Sequence, residues 1–78
     1  MTLGERIAYY RGALGLSQGE LAEKLGVSRQ AVSKWETDAG LPDLDRLIAL
    51  SGLYNITLDE LVKGAAPSPA PADGAQAA

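Results

Sequence analysis

The sequence predicts an all-α domain of five short helices, and three observations carry that expectation. Apolar residues recur at helical spacing from Leu3 to Leu61. Four positions, Ser17, Ser28, Asp43 and Thr57, carry N-cap side chains immediately before such a stretch. Glycines stand just past the expected ends, at Gly15, Gly26 and Gly64, where a left-handed residue stops a helix.

The first helix is expected over residues 3–14, with Leu3, Ile7, Tyr10 and Leu14 spaced along it and Ala8 and Arg11 alongside. Tyr9 and Tyr10 point about 100° apart on a helix, so one packs and the other is half-exposed. Ser17 followed by Glu20 is a capping box, and Leu16 and Leu21 form the hydrophobic staple around it. The second helix therefore starts at Gln18, with Leu21, Ala22 and Leu25 facing inward. Gly26 ends it, and Ser28 caps the third helix, stapled by Val27 and Val32. Two helices joined by about three residues that include glycine are a helix-turn-helix.

On the third helix, Arg29, Ser33, Thr37, Gln30 and Lys34 fall within one arc, and Ala31, Trp35 and Val32 in the opposite one. Arg, Lys and Gln reach the edges of guanine or adenine in a major groove, and Ser contacts a base or a phosphate. A polar arc alone is more often a solvated face. The tight turn, the paired caps and Gln18 ahead of them favour a contact surface.

Thr37 to Pro42 is turn chemistry, in which Asp38 tolerates positive φ and Pro42 cannot continue a helix. Asp43 caps a fourth helix from Leu44 to about Leu53, with Leu44, Leu47, Ile48 and Leu50 as its apolar positions. Thr57 and Glu60, stapled by Ile56 and Leu61, start a fifth that runs to about Lys63. Residues 65–78 contain three prolines and nothing larger than Gln, so a domain of residues 1–64 is expected to be followed by a disordered Ala/Pro-rich tail or linker.

The chain has no Cys and no His, which removes disulfides, zinc fingers, Cys or His nucleophiles and imidazole acid–base work. Asp43, Asp45, Asp59 and Glu60 read as caps and helix-dipole partners, so no catalytic residue, metal or cofactor is expected. No apolar run approaches the roughly 20 residues that span a bilayer, and the N-terminus lacks a signal-peptide pattern. A soluble cytoplasmic protein is expected. Seven basic residues oppose ten acidic ones; Asp73 lies in the tail, which leaves a net of −2 for residues 1–64. That balance opposes a nucleic-acid partner overall, but Arg29 and Lys34 sit on the contact arc, so non-specific affinity should be weak and salt-limited.

Five blocks in order, Leu16-Ser17-Gln18 with Glu20-Leu21-Ala22, Leu25 to Ser28, Val32 to Glu36, Leu41 to Leu44, and Leu58 to Leu61, resemble the Cro/C1-type (XRE) helix-turn-helix transcription regulators of bacteria and phages. The resemblance covers residues 3–64. It implies a lambda-repressor-like five-helix domain with its third helix in the major groove, and a weak homodimer on a two-fold operator in double-stranded DNA. It implies a phosphate contact for Gln18, base-reading positions at Ser28, Arg29, Gln30, Ser33 and Lys34, and a further phosphate contact at Thr37. It also implies a structural ion pair between Arg11 and Glu36. Asp38, where relatives often have Gly, and the uncharged Thr37 reduce phosphate attraction at the end of the third helix, and Gly19 weakens the second by about 1 kcal/mol.

The expected function is a sequence-specific transcriptional repressor that acts by occupying its operator. The alternative is an antitoxin-like interaction module whose partner is a protein, with DNA binding secondary. A missing C-terminal domain that senses a ligand is compatible with either. Leu47 to Tyr54 is the stretch a small domain would leave for a second copy to cover.

Overall fold

Each helix begins at a side chain that accepts from its own first turn. The computed structural model describes residues 1–64. Its helices are α1, Leu3–Ala13; α2, Gln18–Leu25; α3, Arg29–Glu36; α4, Leu44–Tyr54; and α5, Leu58–Lys63. Among the described residues there is no strand. The expected tail, residues 65–78, lies outside them.

The Ser17 hydroxyl accepts from the Glu20 N–H at 3.0 Å, and the Glu20 carboxylate accepts from the Ser17 N–H at 2.8 Å. The same reciprocal box closes α5 through Thr57 and Glu60. Ser28 accepts from the Ala31 N–H and Asp43 from the Arg46 N–H, which caps α3 and α4. Such caps stabilise by about 1 kcal/mol each. A fifth cap, the box of Thr2 and Glu5 on α1, has the same residue spacing and is an addition to the sequence reading.

Three expectations need correction. α1 stops at Ala13, and Leu14, expected on its apolar face, becomes the C-cap and is 49% exposed. Leu44 and Ile48, two of the four apolar positions expected along α4, are 62% and 53% exposed. α4 is apolar on more than one face, and it buries the side that carries Leu50 and Tyr54. It also runs to Tyr54, where Asn55 at φ 58° supplies the left-handed cap in place of a glycine.

Every helix contributes to one core. Ile7, Leu21, Val32, Leu50 and Leu61 are fully buried, joined by Ala22, Trp35 and Tyr54. Each large side chain buried in this way is worth about 1.5–3 kcal/mol. The Tyr54 hydroxyl donates to the Ile7 carbonyl at 3.0 Å, and its ring stacks on Tyr10 at 5.3 Å. Tyr9 stays outside, edge-on to Tyr10.

Burial, helped by the nearby charge of Glu36, pushes the Tyr54 phenol above its ordinary range. A group whose folded pKa is raised stabilises the fold fully below its unfolded value, and that contribution is lost as pH rises above about 10. An alkaline absorbance titration should therefore show one of the three tyrosines ionising only as the helical circular dichroism is lost. Three tyrosines that ionise together in the folded protein would contradict this placement.

Two ties hold α1 to distant segments. Arg6 donates to the Leu61 and Val62 carbonyls at 2.6 and 2.5 Å, which satisfies the open end of α5 with a positive charge beside its negative pole. Asp38, at φ 61°, accepts from the Gly4 N–H at 3.0 Å and from the Thr2 hydroxyl at 2.7 Å. The carboxylate expected to weaken phosphate attraction is thus occupied at the start of α1.

Candidate nucleic-acid interface

The α2–α3 turn is set by Gly26, whose φ of 68° and ψ of 35° reverse the chain without a Cβ penalty. The Gly26 N–H donates to the Ala22 and Glu23 carbonyls, and the Val27 N–H donates to that of Ala22 at 3.0 Å. These bonds satisfy the last turn of α2 and aim the chain directly into the Ser28 cap. Leu21 and Ala22 from α2 and Val32 and Trp35 from α3 bury the inner faces of the pair.

With Val32 and Trp35 inward, the opposite side of α3 faces solvent. Arg29, Gln30, Lys34 and Thr37 are exposed, and Ser33 is half-buried. Ser28 is exposed as well; its oxygen accepts from the Ala31 N–H at 3.1 Å, which leaves the hydroxyl proton free to donate. Five of the seven expected contact residues, Arg29, Gln30, Ser33, Lys34 and Thr37, therefore share one side of a helix, with Ser28 at its start. The Thr37 hydroxyl is turned back on α3, where it donates to the Ser33 and Lys34 carbonyls at 3.1 and 3.3 Å.

Gln18, the first residue of α2, is half-buried and belongs to the neighbouring helix. Its Nε2 donates to Glu36 Oε1 at 2.9 Å. The same carboxylate accepts from Arg11 Nε at 2.6 Å and from Arg11 Nη2 at 3.2 Å. Arg11 also donates from Nη1 to the Leu16 carbonyl at 2.8 Å. The Glu36 side chain is 7% exposed, and its hydrogen bonds, first among the causes, raise the Arg11 pKa further above a range already strongly basic. One carboxylate thus locks the ends of α1, α2 and α3 together. Spacing in the sequence gives no sign of the Gln18–Glu36 contact.

Beside Gln18, Glu20 is held below the usual carboxylate range, first by the Ser17 N–H that it accepts and then by the Ser17 hydroxyl. The stem of Arg29 passes the same turn: a Cβ placed on Gly19 would lie 3.8 Å from Arg29 Cδ, ordinary contact. Among the described residues no cluster of carboxylates could hold a metal ion, and no helix is long and apolar enough to cross a membrane.

A capped helix pair with a buried inner face and a polar outer helix defines a helix-turn-helix module. The chain belongs to the helix-turn-helix family of the Cro/C1 type, whose model matches residues 7–61. It is 41% identical over 64 residues to the HTH-type transcriptional activator BcrR of Enterococcus faecalis, which covers 82% of this chain and 31% of that protein. It is 42% identical over 62 residues to the HTH-type transcriptional regulator ImmR of Bacillus subtilis, covering 80% and 49%. The chain thus spans less than half the length of either relative. Among solved structures, the P22 c2 repressor in complex with a synthetic operator superposes with a TM-score of 0.79 at 37% identity, covering 83% of this chain and 98% of that one.

Proposed function

We propose that the chain binds double-stranded DNA sequence-specifically, with α3 in the major groove, and represses transcription by occupying its operator. The observation that carries the reading is the outward face of α3, where Arg29, Gln30 and Lys34 stand exposed on a helix fixed by core residues on its other side. Arg29 and Lys34 suit guanine O6 and N7, and Gln30 suits adenine N6 and N7. Ser28 and Ser33 contact base edges between them. Gln18 contacts phosphate together with the open N–H groups of α2, and Thr37 contacts phosphate on the other side once its hydroxyl turns from the Ser33 and Lys34 carbonyls to the DNA. The action is steric and no bond is made or broken. The similarity to a repressor in complex with operator DNA supports this reading.

A weak homodimer on a two-fold site completes the proposal. The leucine-rich stretch first expected to pair is largely used inside the domain, where Leu50 and Tyr54 are buried. Leu41, Leu44 and Ile48 are the apolar residues left outward, at the α3–α4 turn and along α4. A second copy covers this surface, and the site spacing on DNA reports it.

Selection of binding sites from a random duplex pool tests the reading. It should return two inverted half-sites about one helical turn apart. Gln30→Ala should weaken the selected site by about 1–3 kcal/mol and relax one base position. Lys34→Ala should alter the preferred motif as well, whereas a pure phosphate contact would only reduce the salt slope by about one. A pool that yields no motif, or variants that bind selected and scrambled DNA as wild type does, would remove α3 as the contact surface.

A further inference from the structure

We infer that Glu36 is a positioning residue for the DNA contact at the start of α2, acting through Gln18; the inference rests on the proposed phosphate contact of Gln18. The Glu36 carboxylate is covered and negatively charged, so it cannot itself meet a phosphate. It is clamped by two donors from Arg11, and its Oε1 accepts Gln18 Nε2 at 2.9 Å. An ionised carboxylate only accepts, so the NH₂ end of the Gln18 amide must be the end that faces it. One N–H is used on Glu36. The other stays free to donate, beside the Gln18 and Gly19 N–H groups that the Ser17–Glu20 box leaves without acceptors, at a helix end whose dipole favours an anion.

A free glutamine side chain would lose its rotamer freedom on binding DNA. Glu36 fixes that side chain within the folded protein, before DNA arrives, and pre-organisation of this kind appears directly as affinity. Arg11 serves the same end one step back, by holding the carboxylate that holds the amide. The ion pair therefore contributes to binding as well as to stability.

A double-mutant cycle separates the two contributions. Gln18→Ala is made in the wild-type chain and in the paired variant Arg11→Met/Glu36→Leu, which removes the acceptor without stranding a charge. Binding to a mixed-sequence duplex and to a selected duplex is measured at two salt concentrations. In the wild type, Gln18→Ala should weaken both duplexes by about tenfold, as expected for one hydrogen bond to a charged group. In the paired background it should weaken them by less than about twofold, because the unanchored amide no longer starts in place.

An equal loss in both backgrounds overturns the role of Glu36 and leaves the phosphate contact standing. No loss in either background removes the Gln18 contact and this inference with it. The wild-type protein gives a second readout that needs no variant. In nuclear magnetic resonance spectra without DNA, one of the two Gln18 Nε2 protons should exchange slowly with solvent and the other quickly. Two protons that exchange alike would also overturn the role.

Discussion

Replacing Gly4 by alanine should destabilise the domain by about 3 kcal/mol, the upper part of the usual range for overpacking. A Cβ at residue 4 would lie 2.3 Å from the Trp35 carbonyl oxygen, 2.9 Å from that of Glu36 and 2.7 Å from Asp38 Oδ1. Two of these three obstacles are backbone at the end of α3, so no rotamer change relieves them. Either α1 moves away from α3, or the Gly4 N–H loses its 3.0 Å bond to Asp38. For a domain of this size the loss lowers Tm by roughly 12–24 °C. Thermal unfolding followed by circular dichroism measures it directly. Because Trp35 and Glu36 are the residues displaced, binding should fall further than the unfolded fraction explains. A variant within about 0.5 kcal/mol of wild type would mean that α1 does not rest on the end of α3.

Gly4 also marks where the sequence stops being legible. The helix starts at Ser17, Ser28, Asp43 and Thr57 can be read directly because each cap bonds a backbone group three residues on. The outward face of α3 follows from the same kind of local rule, since 3.6 residues per turn fixes which side chains oppose Val32 and Trp35. Gly4, Arg6 and Asp38 act across 34 to 56 residues, and nothing beside them in the chain names their partners. Thr2-Leu3-Gly4-Glu5 does hold a capping-box pattern, and that signal was available. Leu44 and Ile48 are the opposite case: α4 offers more apolar residues than one core can cover, and periodicity cannot choose among them. The bond between Gln18 and Glu36 is invisible for yet another reason. Each residue has an adequate separate explanation, at a helix start and opposite Arg11, so pattern reading has no cause to join them.

Arg11→Met is the other substitution with a large expected effect, about 2–4 kcal/mol of stability. It leaves the Glu36 carboxylate, 7% exposed, with Gln18 Nε2 as its remaining donor in place of three hydrogen bonds. It also strips the Leu16 carbonyl of the donor at 2.8 Å and removes a cation from the last turn of α1, where the helix dipole favours one. Glu36→Leu alone should cost less, because the stranded Arg11 is already 22% exposed and its long stem lets the guanidinium swing into water. The paired change Arg11→Met/Glu36→Leu should recover most of the loss, since an apolar pair avoids the desolvation that the ion pair must offset. Urea unfolding of the two single variants and the pair gives these values as a cycle. The order expected is Arg11→Met least stable, then Glu36→Leu, then the pair. If the pair is no more stable than Arg11→Met, the carboxylate is not what makes the loss large, and the Leu16 carbonyl and the packing of the arginine stem account for it instead.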